Sequence, residues 1–81
     1  MSTLLYPLAT EKAVRLIDEE NKLVFVVARS AKKADIKKAA EEMLKAKVVK
    51  VNTFNAPNGE KRAYIQFSTP AIDIATKLGL M

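Results

Sequence analysis

Cations are the chemistry this sequence offers in quantity. Arg29, Lys32, Lys33, Lys37, Lys38, Lys45, Lys47 and Lys50 outnumber Asp35, Glu41 and Glu42 by five. Outside that stretch, Lys12, Arg15, Lys22, Lys61, Arg62 and Lys77 are matched one for one by Glu11, Asp18, Glu19, Glu20, Glu60 and Asp73. The whole formal charge of +5 therefore sits between positions 29 and 50, and such a concentration selects polyanions, nucleic acid first. A second set is spaced by two: Lys50 and Asn52, then Arg62, Tyr64 and Gln66. On two paired strands these would share one surface, where cations and amides meet a phosphate backbone and a ring stacks on a base. The same spacing also fits a Tyr64 that supports a helix among solvated neighbours. Contacts made chiefly to phosphate imply weak sequence discrimination and steep salt dependence.

Catalysis has little to work with. There is no Cys and no His, so disulfides, thiolate metal sites and the commonest general base are excluded. The carboxylate pairs Glu19-Glu20 and Glu41-Glu42 are adjacent, and adjacent positions splay apart on a helix or turn. Gly59 and Gly79 fall at turn and cap positions, leaving no glycine-rich phosphate loop. No catalytic residue, metal ligand or cofactor is assigned. The longest apolar run, Leu23 to Ala28, is far short of the roughly 20 residues that span a bilayer. Met1 to Pro7 has no basic region and is too short for a signal peptide. The expectation is a soluble, cytoplasmic protein without stable membrane insertion, one domain over residues 1–81 with no linker or repeat.

Several elements must position these groups. Leu4 to Tyr6, ahead of Pro7, read as extended, because the residue before proline avoids the helical region. Thr10 is an N-cap with Glu11 in the first turn, and Ala13, Val14, Leu16 and Ile17 form one apolar side of a short helix. Asp18-Glu19-Glu20-Asn21 closes it in an acidic turn that is either solvated or useful to a partner. Leu23 to Ala28, apolar at every position, predicts a central strand covered on both faces, by a long basic helix on one and the first helix on the other. That long helix carries Ile36, Ala39, Ala40, Met43 and Leu44 at helical spacing; Ser30 is one candidate cap, and Asp35 another source of acceptors. Val49, Val51 and Thr53 are expected to face inward on the next strand, with Lys50, Asn52 and Phe54 outward. Asn55 to Glu60 predicts a tight turn on Pro57 and Asn58-Gly59. Lys61 to Ser68 returns with Ala63, Ile65 and Phe67 inward. Thr69-Pro70 is expected to cap a last helix bearing Ala71, Ile74, Ala75 and Leu78, ended by Gly79. The predicted class is α+β: a compact sandwich of helices on a mainly antiparallel sheet of three to four strands, ferredoxin-like in character.

Four fragments in register carry a resemblance over nearly the whole chain. Pro7-Leu8-Ala9-Thr10-Glu11-Lys12 resembles the Pro-x-x-(Ser/Thr)-Glu-Lys signature of the ribosomal protein L23 family. Ala34-Asp35-Ile36-Lys37-Lys38-Ala39 with Val48-Val49-Lys50-Val51-Asn52-Thr53 is similar to that family's central block. Lys61-Arg62-Ala63-Tyr64-Ile65 resembles its return strand, and Ala71-x-Asp73-Ile74-Ala75-x-x-Leu78-Gly79 the tail of archaeal and eukaryotic members. The resemblance implies an archaeal-type protein of the large ribosomal subunit at the exit tunnel, docked on large-subunit rRNA beside neighbouring ribosomal proteins. It suggests Lys12, Lys33, Lys37, Lys50, Asn52, Thr53, Arg62 and Tyr64 on the rRNA side. It further implies a docking site for the signal recognition particle and the protein-conducting channel at Glu11, to which charge adds Asp18 and Glu19. The long basic tunnel loop of bacterial members is reduced here to Asn55–Glu60, the basic amino-terminal extension of eukaryotic members is missing, and Lys32 stands where Thr or Asn often caps the long helix. The alternative is a free-standing ferredoxin-like module that regulates RNA or senses a small ligand.

Overall fold

The structure, a computed structural model, describes residues 3–79. Along the chain run β1 (Leu4–Pro7), α1 (Glu11–Glu20), β2 (Lys22–Val27), α2 (Lys33–Leu44), β3 (Val48–Asn55), β4 (Lys61–Phe67) and α3 (Ala71–Lys77). The strands form one antiparallel sheet in the order β1-β2-β4-β3. β2 and β3 thus run parallel on either side of β4 and are joined through α2, a split β-α-β unit. With α3 following β4, this is most of a ferredoxin-like sheet. The place that such folds fill from the end of the chain is taken by β1, and α1 becomes the connection from β1 to β2.

The core follows from period-two burial. Leu23, Phe25 and Val27 of β2, Ala63, Ile65 and Phe67 of β4, and Val51 of β3 are buried on one face. Ile36 and Ala40 of α2 and Ala71, Ile74 and Ala75 of α3 close over them, joined by Ile17 of α1. Val24 and Val26 are also buried, as expected for the central strand, but a helix screens only part of their side. Ala13 and Leu16 of α1 adjoin Val24, whereas Val26 lies in register between Tyr6 and Arg62.

Local chemistry explains the ends. The Thr10 hydroxyl accepts from the Ala13 amide at 3.2 Å, as its position predicts. α2 starts after Lys32 rather than Ser30: a lysine ammonium cannot accept a hydrogen bond, so only the reciprocal contact is made, with the Lys32 amide donating to Asp35 at 3.2 Å. In the β3–β4 turn the Gly59 amide donates to the Ala56 carbonyl at 3.0 Å and the Ala56 amide to the Glu60 carbonyl at 2.8 Å. Gly59 takes φ +88° there, a left-handed position that glycine occupies without steric cost. Gly79, at φ +78°, follows the last turn of α3 as expected.

Three expectations are corrected. A bulge between Val48 and Lys50 shifts the register of β3, so Val48 is buried (2 % exposed) and Val49 turns outward (60 %). Met43 is half-exposed: it lies two turns from Ile36 on the same side of α2, but in the last turn of the helix, where it borders an open groove with Ile74, Lys77 and Leu78. Thr69 does not cap α3. Asn21, in the left-handed conformation at the end of α1 (φ 56°), reaches across instead. Its Nδ2 donates to the carbonyls of Phe67 at 2.7 Å and Thr69 at 2.8 Å, and its Oδ1 accepts from the Ala71 amide.

These hydrogen bonds and burials set the expected stability of two pairs of variants. Asn21→Ala is expected to cost about 2–4 kcal/mol in urea unfolding, from missing hydrogen bonds and a strained left-handed backbone; Asn21→Gly should cost roughly 1 kcal/mol less, since only the bonds go. Unmoved midpoints for both would remove Asn21 as the clamp between α1, β4 and α3. Val48→Ala should cost about 2 kcal/mol and Val49→Ala under about 0.5 kcal/mol; the reverse order would mean the bulge is misplaced.

Candidate nucleic-acid interface

The sheet face turned away from α2 and α3 is assembled in rows by strand register. Lys22, Gln66 and Lys50 form one row; Val24, Tyr64 and Asn52 the next; and Val26, Arg62 and Phe54 a third, which Tyr6 of β1 extends. The alternation of β4 thus brings Lys50, Asn52, Arg62, Tyr64 and Gln66 together, as their spacing predicts. Lys12 of α1 reaches the same area: a groove is lined by Lys12, Lys22, Asn52, Thr53, Phe54 and Tyr64. Thr53 pairs with Ala63, so it shares the register of the inward positions while bordering this groove, and it is half-buried. The Phe54 and Tyr64 rings meet edge to face, centroids 5.9 Å apart at 63°.

Some of these groups are committed to the protein and others are not. Arg62 is tied to Glu60, Nη2 to Oε2 at 3.3 Å, and the Tyr6 hydroxyl donates to the other oxygen of Glu60 at 3.3 Å. Lys22 pairs with Glu20 at 3.2 Å. Lys12, Lys50 and the Asn52 amide make no side-chain hydrogen bond or ion pair among the described residues. Their full charge and hydrogen-bonding capacity face outward.

Lys33 and Lys37 are elsewhere. α2 buries Ile36 and Ala40 against the inner face, so its exposed lysines, Lys38 included, look away from the groove across a body whose shortest extent is 19 Å. The cations foreseen as one set therefore occupy two opposite surfaces. A one-dimensional pattern reports which residues share a face of one helix or strand, not how the helix sits on the sheet.

Glu11, Arg15, Asp18 and Glu19 form an exposed ridge along α1. Glu11 and Arg15 are four apart and 3.8 Å from each other, and the Glu11 side chain is 91 % exposed. Glu11 benefits from the positive end of the helix, while Asp18 to Glu20 crowd the negative end with no basic residue in that turn. This leaves an acidic tip held in water.

Phe54 and Lys22 line the groove but are not among the candidate rRNA-side residues of the sequence. Alternation along β3 puts Phe54 outward, and its contact with Tyr64 is the signal that the sequence lacks. Among the described residues no group of three or more Asp, Glu, His or Cys is arranged to hold a metal ion, and no helix is long and apolar enough to cross a membrane.

A family model described as Ribosomal protein L23 matches residues 2–74. The chain is 47 % identical over 78 residues to the large ribosomal subunit protein uL23 of Trypanosoma brucei brucei, covering 94 % of this chain and 48 % of that protein. It is 45 % identical over 76 residues to the large ribosomal subunit protein uL23 of Methanococcus vannielii, covering 91 % of this chain and 88 % of that one. The chain thus spans about half the length of the first relative and most of the second.

Proposed function

The chain belongs to the ribosomal protein L23 family, and on that footing we propose that it is held against large-subunit rRNA by the open face of its sheet. The family is one of large-subunit ribosomal proteins, structural rather than catalytic, at work in translation on the cytoplasmic ribosome. The observation that carries the rRNA reading is the set of uncommitted polar groups, Lys12, Lys50 and Asn52, around a ring pair on a face no helix fully covers. Lys12 and Lys50 neutralise phosphates, Asn52 and Thr53 offer hydrogen-bonding groups, and Arg62, oriented by Glu60, presents its guanidinium beside Tyr64. Lys33 and Lys37 contact a second rRNA segment, because the sheet separates them from the groove.

The ridge on α1 is the docking surface for the signal recognition particle and the protein-conducting channel. Glu11 is its centre, with Asp18 and Glu19 adding charge. Its exposure beside the rRNA face leaves it free for visitors while Lys12, the next residue, is engaged. Neighbouring large-subunit proteins pack around the same body. The six-residue turn Asn55–Glu60 and the Asp73-Ile74-Ala75 tail favour an archaeal- or eukaryotic-type member over a bacterial one, since bacterial members extend that turn into the tunnel.

Binding to protein-free large-subunit rRNA should weaken in Lys12→Glu/Lys50→Glu, with the slope of log affinity against log salt falling by about 2, one for each phosphate no longer neutralised. Lys33→Glu/Lys37→Glu should lower that slope separately. Slopes unchanged in both variants, or a chain that stays off large subunits in gradients at ordinary salt, would reject the reading. Glu11→Ala should reduce recruitment of the signal recognition particle to ribosomes and leave subunit assembly intact; unaltered recruitment would take Glu11 out of the docking surface.

A further inference from the structure

We infer that the groove takes one unpaired rRNA base, stacked on Phe54, with Asn52 bonding to the edge of that base. The inference rests on the rRNA reading and narrows its ligand to a single-stranded, bulged or loop nucleotide. Phe54 is 43 % exposed. A ring left in water among Lys12, Lys22 and Arg62 adds nothing to a phosphate contact, but its π-face matches that of any base. Tyr64 is less suited to the stacking. It is half-buried, with Val24 and Asn52 beside it in register and Phe54 against it. Its contact with Phe54 holds that ring in place, leaving the outer ring for the ligand.

The polar groups fit the same occupant. Asn52 is two residues from Phe54 on the same face, a separation of roughly 6–7 Å along a strand. Its amide carries both a donor and an acceptor and has no partner among the described residues. Such an amide bonds to a base edge, whereas phosphate would use only its donor. Lys12, which lines the groove and makes no ion pair among the described residues, is placed for a phosphate beside the nucleotide. Paired bases in an A-form helix expose no π-face, so a duplex does not fill this site.

The test combines binding with base-specific chemical probing of protein-free large-subunit rRNA from the same cells. Phe54→Leu is expected to lower affinity roughly tenfold or more with the salt slope unchanged, because stacking goes while every phosphate stays neutralised. Phe54→Tyr should restore binding, and Asn52→Ala should weaken it at constant slope. In the wild-type complex the edge of at least one unpaired base should become protected, and Phe54→Leu should release it. Binding of Phe54→Leu within about twofold of wild type, a lowered slope, or protection of the backbone alone would each overturn the base site while leaving the rRNA reading standing. Wild-type protein that fails to bind this rRNA at ordinary salt would overturn both. Probing the wild-type complex decides the matter even if the Leu variant folds poorly.

Discussion

β4 lies between β2 and β3, and its alternation constrains everything around it. Ala63, Ile65 and Phe67 are buried, and Arg62, Tyr64 and Gln66 stand on the opposite side. Because the period is two, a slip of one residue would exchange the faces, putting Arg62 and Tyr64 in the core and Ile65 in water. Burial of the inner set is large and non-directional, so it locks the register. The outer set is then displayed as a consequence of hydrophobic packing on the other side. Lys50, Asn52 and Phe54 are displayed the same way, but through the bulge at Val48–Lys50, which shifts the start of β3 against Phe67 and Gln66.

This arrangement divides the work of the charges. The sheet face combines cations with a ring pair and an amide that has no partner among the described residues, the features on which the proposed nucleotide site rests. The α2 surface offers exposed lysines interspersed with Asp35 and Glu42 and no ring beside them, suited to attracting phosphate without ordering it. Four of the nine acidic residues lie on α1, and three of them cluster at its end for a local reason. Asp18, Glu19 and Glu20 follow the buried Ile17 in the last turn of α1, ahead of Asn21, and all three are exposed. Glu20 turns back to Lys22, so part of the acidic charge is spent holding the margin of the groove.

Much of this is legible in the sequence, and the misses have particular causes. The alternation of β4 predicts its faces outright. Thr10, Gly79 and the Asn58-Gly59 turn are read correctly because caps and turns depend on neighbours a few residues away. β3 is read one position out at its start, since an unbroken alternation through Val49, Val51 and Thr53 hides a bulge that only the partner strand reveals. The true cap of α3 escapes for a stronger reason: Asn21 is 50 residues from Ala71, and no local pattern couples them. Phe54 is given its face but not its role, because a ring's use depends on what lies across the strand from it.

The sequence by itself determined where the net charge lies, which side chains share a face within each element, and a set of motifs sufficient to point to the L23 family. Those properties are local, set by helical and strand periodicity and by residue chemistry over a few positions. Only the tertiary structure decided that the lysines of α2 and the ring-bearing sheet face look in opposite directions, that β1 completes the sheet from the amino end, and that Asn21 joins α1 to α3. Each of these depends on which apolar faces meet, and that is settled by burial between residues distant in the chain.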